Sequence, residues 1–154
     1  MDLWRISSHA SLDGLGGLLT SARWHSRGRR IVYLAATPAG ALIEVLVHLE
    51  LSPARMPTPW RLMKVRVGDG TSSERITPED LAPNWRDSLQ TSAAVGDQWL
   101  EGKRSALLEV PSAIVPETSN WLLNPEHPDS GRVALIEHEA FRLDSRLLRF
   151  TPGE

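Results

Sequence analysis

Apolar and polar positions along the chain follow two periods, and each predicts a different kind of element. Leu3-Trp-Arg-Ile6 alternates and predicts an opening strand. Asp13-Gly-Leu-Gly-Gly17 follows as a loop; it lacks the third glycine and the strand-to-helix setting of a dinucleotide fingerprint. Ile31-Val-Tyr-Leu-Ala-Ala36 has the β-branched and aromatic make-up of a buried strand. Thr37 then offers an N-cap, and Pro38 suits the first helical position, where no backbone donor is needed. Apolar residues continue at helical spacing through Leu42, Val45, Leu46 and Leu49, predicting a helix to Leu51 that Ser52-Pro53 ends. Arg55 to Pro59 reads as a connector. Trp60 to Val67 alternates, with Leu62, Lys64 and Arg66 on one face and Met63, Val65 and Val67 on the other, as in a half-buried strand. Gly68 to Ser73 is a loop.

The second half is more broken. Thr77-Pro-Glu-Asp80 predicts a capped short helix, Asn84 to Leu89 another, and Ser92 to Glu101 a third that ends at Gly102. Ala106-Leu-Leu-Glu-Val110 reads as a strand stopped by Pro111, with Ser112-Ala-Ile-Val115 as a second short strand or extended run. Asn120 to Pro128, with two prolines, reads as a loop. Arg132 to Glu139 and Leu147 to Phe150 read as the last strands. The sum is an α+β fold of short strands around one main helix.

The chain has 154 residues, a length that suits one domain, residues 1–154, with a proper core. A net charge of −2 gives no reason to expect direct nucleic-acid or membrane-surface binding. Cysteine is absent, which excludes disulfides, thiol nucleophiles and thiolate metal sites and is compatible with a reducing cytoplasm. No window reaches ~18 consecutive apolar residues, and the amino-terminus lacks the plan of a secretory signal. A cytoplasmic location is the expectation. Six tryptophans outnumber the other aromatics together, so several should anchor the core or an interface.

Candidate chemistry sits inside the strand–helix unit. Tyr33 and Glu44 are polar groups in an apolar setting, and such groups need a partner or a role. At about 100° per residue, Glu44 and His48 fall opposite the apolar stripe. Glu44 is then either a solvent-facing residue with an i,i+4 neighbour or a carboxylate held at a pocket, and Ile43 and Val47 leave that face little polar surface. Arg5 beside Trp4, Arg23 before Trp24 and His25, and Ser112 after Pro111 each have a plain structural reading. The five histidines lack the spacing of a zinc site, so no metal is expected, and no nucleophile elbow is present. Arg27, Arg29 and Arg30 read as a solvated basic turn.

Several ordered blocks, taken together, resemble a known family. They are Ala22-Arg-Trp-His-Ser-x-Gly28, Ile31-Val-Tyr-Leu-Ala35, Ala41-Leu-Ile-Glu44, Val110-Pro-Ser-Ala-Ile-Val115, Asn120-Trp-Leu-Leu-Asn-Pro125-x-His127-Pro128 and Phe141-Arg-Leu-Asp-Ser-Arg-Leu147. From Trp4 to Leu147 the chain looks like the RES domain, named for its Arg, Glu and Ser. One departure is visible: Ser21 and Ala22 stand where the family often has two glycines.

The resemblance implies a toxin of a bacterial toxin–antitoxin pair, neutralised by an Xre-type helix-turn-helix antitoxin. It implies a fold similar to ADP-ribosyltransferases of the diphtheria-toxin kind and action on NAD, by hydrolysis, phosphorolysis or ADP-ribosylation of a protein; the alternative of another class is a non-enzymatic module that acts through its antitoxin partner. NAD would be the substrate, and homo-oligomer formation stays open. The family's polar residues fall on Arg5, Arg23, Tyr33, Glu44 and Ser112. Glu44 would stabilise the developing ribosyl cation. Arg23 and Arg5 would hold phosphate oxygens, since a guanidinium binds two at once. Tyr33 would line the nicotinamide or ribose pocket, and Ser112 would bond a ribose hydroxyl. Asn124 and His25 are expected at the rim.

Overall fold

The computed structural model describes residues 1–48 and 59–148. Seven strands form one mixed sheet: β1 (Asp2–Ser7), β2 (Val32–Ala35), β3 (Trp60–Val67), β4 (Ser73–Arg75), β5 (Leu107–Pro111), β6 (Ser119–Leu123) and β7 (Val133–Phe141). Their spatial order is β4-β5-β6-β2-β1-β3-β7. Among the described residues only the β4–β5 pair is parallel, and two α-helices, α1 (Pro38–His48) and α2 (Leu89–Gly102), accompany the sheet.

Strand alternation separates the core into two faces. Leu3, Val32, Leu34, Val65, Val67, Leu107, Leu123 and Val133 cluster on one. On the other, Leu108, Val110 and Leu122 meet Trp99 and Leu100 of α2, with Trp24 and Trp85 filling the same cluster. Beside it, Ile6, Ala35 and Ala41 pack with Trp4, Leu42 and Val45, which seats α1 against β1 and β2. The tryptophan-rich composition is used here: Trp85 and Trp99 are among the largest fully buried side chains.

The unit from β2 to α1 forms as its sequence predicts. Thr37 accepts the Gly40 N–H through Oγ1 at 3.0 Å, and its carbonyl accepts from Ala41 N. The helix is followed to His48, so its predicted last residues and most of the Arg55–Pro59 connector lie outside the described residues.

Several expectations are corrected. Ser112–Val115 is a bend, not a strand, because the Ser112 hydroxyl gathers the Ile114 and Val115 N–H groups that a ladder would need. The strand lies later, at β6, inside the stretch expected to be a loop; its partners β2 and β5 decide this. Asn84–Asp87 is a turn, and the helix starts at Leu89 with Ser88 capping Thr91 N. It makes α2 a second main helix. Ser145–Leu148 is a 3-10 turn in place of the predicted end strand, whose last two residues lie outside the described ones. A 3-10 turn, Leu15–Leu18, interrupts the first loop. β4 was not expected, because three polar residues carry no period.

Candidate active site

α1 decides the site by the face it turns inward. Ala41, Glu44, Val45 and His48, spaced i, i+3, i+4 and i+7, line a cavity of about 670 Å³ together with Trp4, Arg5, Tyr33, Ala35 and Trp60. The cavity is within the ~300–1,000 Å³ span of small-molecule sites. Glu44 therefore belongs to the inward stripe, and the two readings left open by the sequence resolve toward the pocket.

Glu44 is held from behind. Its Oε1 accepts a hydrogen bond from Asn120 Nδ2 at 2.7 Å and a long one from Ser112 Oγ at 3.5 Å. Asn120 is 8 % exposed and sits near the start of β6, opposite Ala35 on β2 and Val110 on β5, so its side-chain direction is set by two neighbouring strands. Ser112 is 3 % exposed, and its oxygen also accepts from Ile114 and Val115 N–H at 3.2 and 3.1 Å. With these bonds in place Ser112 acts through Glu44; a ribose contact from the same oxygen would have to displace one of them. A second, smaller cavity of about 150 Å³ lies on the far side, lined by Thr37, Gly40, Ser112, Thr118 and again by Glu44 and Asn120.

The opposite lip, Thr20 to Ala22, also lines the large cavity. A buried polar chain fixes it. His25 Nε2 lies 2.9 Å from the Thr20 carbonyl, which can only accept, so Nε2 carries the proton. Nδ1 is then the acceptor for the Tyr33 hydroxyl at 2.8 Å, and that hydroxyl accepts the Trp24 N–H at 3.1 Å. The phenol is fully committed, so what Tyr33 offers the cavity is its ring. Burial pushes the Tyr33 pKa well above its usual value. Burial likewise lowers the His25 pKa by disfavouring the charged imidazolium.

α2 clamps the same segment from outside. A Cβ on Gly96 would stand 1.8 Å from the Trp24 carbonyl, so only glycine lets the helix lie on this backbone. Asp97 accepts from Ser26 N at 2.8 Å and pairs with Arg29 at 3.1 Å. Arg29 of the expected basic turn is thus an anchor to the helix, paired with Glu101 as well.

The remaining expected site residues divide. Arg5 reaches the cavity wall from β1, with its guanidinium donating to the Ser11 carbonyl at 2.8 Å. Burial lowers its pKa, and nearby Asp13 opposes that shift. Arg23 donates to the Trp85 carbonyl at 3.1 Å, behind the lip, and its charge reaches the Tyr33 phenol. His25 and Asn124 are not at a rim. His25 is 2 % exposed, and Asn124 is fully buried, donating to the Leu100 carbonyl and accepting from Glu126 N. The resemblance places both at the rim of the substrate pocket; each instead bonds backbone groups that the fold buries. Among the described residues no group of three histidine or acidic side chains is placed to hold a metal ion.

Comparison with known proteins identifies the lineage. The RES domain model matches residues 2–144. The chain belongs to the RES domain family. Similar RES relatives include a protein named Toxin Res from Pseudomonas putida, 45 % identical over 147 residues, covering 96 % of this chain and 99 % of that protein. A protein named Prs ADP-ribosylating toxin, from a Sphingobium species, is 36 % identical over 156 residues, covering 95 % and 96 %. The RES fold here is also similar to the crystal structure of the M. tuberculosis MbcT–MbcA toxin–antitoxin complex, with a TM-score of 0.74 at 17 % identity over 96 % of this chain and 86 % of that one.

Asn120 was missed as a functional residue. It opens the Asn120-Trp-Leu-Leu-Asn-Pro125 block, and its place at the head of that block was the available signal.

Proposed function

We propose that this RES-family chain is a toxin that consumes NAD by breaking the nicotinamide–ribose bond. The observation that carries the reading is the braced carboxylate: Glu44, fixed by Asn120, on the wall of a cavity of about 670 Å³. When the C1′–N bond breaks, its electron pair leaves with neutral nicotinamide and positive charge develops on the ribose. The leaving group needs no strong acid. A carboxylate oriented before the reaction stabilises that charge without reorganising. The Tyr33 ring lines the ribose end, and the arginines, Arg5 on the wall and Arg23 behind the lip, are the candidates for the pyrophosphate. The toxin's partner is an antitoxin, of the Xre helix-turn-helix type, which supplies any DNA contact. The family membership and the similarity to a toxin–antitoxin complex support the pairing. Among the described residues no helix is long and apolar enough to cross a membrane, and the proposed site of action is the cytoplasm, where NAD is available.

A second reading, transfer of ADP-ribose to a protein, is favoured by one observation: a relative at 36 % identity is named as an ADP-ribosylating toxin. Both readings predict nicotinamide release from NAD once the acceptor is offered, and loss of about 10²–10³-fold in kcat for Glu44→Gln, the range for deleting one such electrostatic group. Label from the adenylate half of NAD found on protein selects transfer; free ADP-ribose or its 1-phosphate selects depletion. Folded wild-type protein that leaves NAD intact with water, phosphate and cell extract all offered refutes both.

A further inference from the structure

Strand register gives the large cavity two ends. Asn120, which holds Glu44, stands opposite Ala35; Ala35 stands opposite Trp4, and Trp4 opposite Lys64. Residues directly opposite share a face, so these four form one row across β6, β2, β1 and β3. Trp60 is on that same face of β3, four residues before Lys64, which is about 13 Å along the strand at ~3.3 Å per residue. Trp4 and Trp60 both line the cavity. We infer that Trp60 holds the adenine ring of the substrate, which makes it the residue that selects a dinucleotide over a nicotinamide mononucleotide. The inference rests on the NAD-cleaving reading above.

Three observations point to Trp60. The first is its position. Glu44 must stand at the ribose carbon that loses nicotinamide, so nicotinamide belongs near the row of Asn120 and Trp4. The adenine half then runs toward the other end, where Trp60 is the aromatic wall. The second is packing. Trp60 rests against the Ile6, Ala35 and Ala41 cluster and is still partly exposed at the cavity. An indole backed by core and open on the cavity side is a platform for stacking a base.

The third is the indole N–H. Among the described residues, Trp60 Nε1 is the one buried side-chain polar atom without a hydrogen-bond partner. Such donors are rare, because leaving one unpaired costs the desolvation of the group. The N–H is shielded as the ring now lies, so pairing it takes a tilt of the indole, and the cavity beside the ring gives room for one. Adenine supplies what this donor lacks, since its ring nitrogens accept hydrogen bonds and its face stacks.

The test is titration calorimetry on the full chain with the halves of the substrate offered separately. ADP carries the adenine and the two phosphates; nicotinamide mononucleotide carries the other base. Wild type should bind both. In Trp60→Leu the Kd for ADP should rise about 5- to 150-fold, the range for one base stack, and the Kd for nicotinamide mononucleotide should not move. Trp60→Phe keeps a stacking face and loses the N–H, so its Kd for ADP should rise about 2- to 12-fold, the range for one neutral hydrogen bond. Thermal melting checks that each variant is folded, and the phenylalanine variant decides the question if the leucine variant is not. Wild type that does not bind ADP overturns the assignment. So does ADP bound as tightly by the variants as by wild type, and so does an equal loss for both ligands, which would make Trp60 a structural wall. Binding is read without turnover, so the two failures separate: wild type that binds ADP through Trp60 yet releases no nicotinamide defeats NAD cleavage, whereas active variants with unchanged ADP binding defeat only the adenine site.

Discussion

Replacing Asn120 by leucine isolates the bond that orients the proposed catalytic carboxylate. Leucine keeps the branched outline of asparagine and is somewhat larger, so the wall between the cavities stays closed. What disappears is the 2.7 Å hydrogen bond from Nδ2 to Glu44 Oε1. A hydrogen bond to a charged group contributes about 1.5–3 kcal/mol. Ser112, at 3.5 Å, cannot replace it, because donors at that distance contribute little. If the bond matters mainly for aiming the carboxylate at the developing cation, its loss appears in the transition state. At about 1.4 kcal/mol per factor of ten, kcat should fall about 10- to 150-fold. NAD binding depends on the rest of the cavity wall, so KM should stay near the wild-type value. The assay is nicotinamide release followed over a range of NAD concentrations, with thermal melting of each protein as the control for folding. Asn120→Leu with wild-type kcat, beside an inactive Glu44→Gln, would refute the orienting role. A raised KM with unchanged kcat would refute it too, by making Asn120 a simple binding group.

Other expectations follow from the clamp around the cavity lip. Gly96→Ala brings a Cβ to 1.8 Å from the Trp24 carbonyl. Helix propensity favours alanine by only ~1 kcal/mol, and the forced shift of α2 costs about 1–3 kcal/mol or more, so the clash wins. Net of that gain the loss is about 1–2 kcal/mol, so the melting temperature should fall by about 2–8 °C at the ~2–4 °C per kcal/mol of a chain this long, and a variant that melts at or above wild type contradicts the close docking of α2. His25 links stability to pH. Its folded-state pKa lies below that of a free imidazole through burial, so the unfolded chain binds the proton more readily. The contribution is complete above about pH 6.5 and is lost as pH falls below it, when a proton on Nδ1 removes the acceptor for the Tyr33 hydroxyl. Melting at about pH 7.5 and about pH 5.5 should show a larger drop for wild type than for His25→Gln; equal drops would exclude His25 as the sensor.

The sequence by itself determined most of the local structure, because each signal lies within a few residues. The apolar strand, the Thr37 cap and Pro38 specify the turn from β2 into α1, and alternation specifies β3. Blocks spread along the chain were enough to mark the RES resemblance. Other features depend on residues far apart in the chain. Both faces of α1 are rich in apolar groups, so periodicity left Glu44 with two orientations. Packing of Ala41, Leu42 and Val45 on Ile6 and Ala35 chose one. Ser119–Leu123 looks like a loop until β2 and β5 pair with it, and only that pairing brings Asn120, 76 residues away in sequence, against Glu44. Tyr33 and His25 likewise exchange surface chemistry for a buried chain of hydrogen bonds once the lip folds over them. The residue types of the site were legible locally. Which of them face the cavity, and which hold another in place, is a property of side-chain direction, and that is set by strand register and helix docking across the sheet.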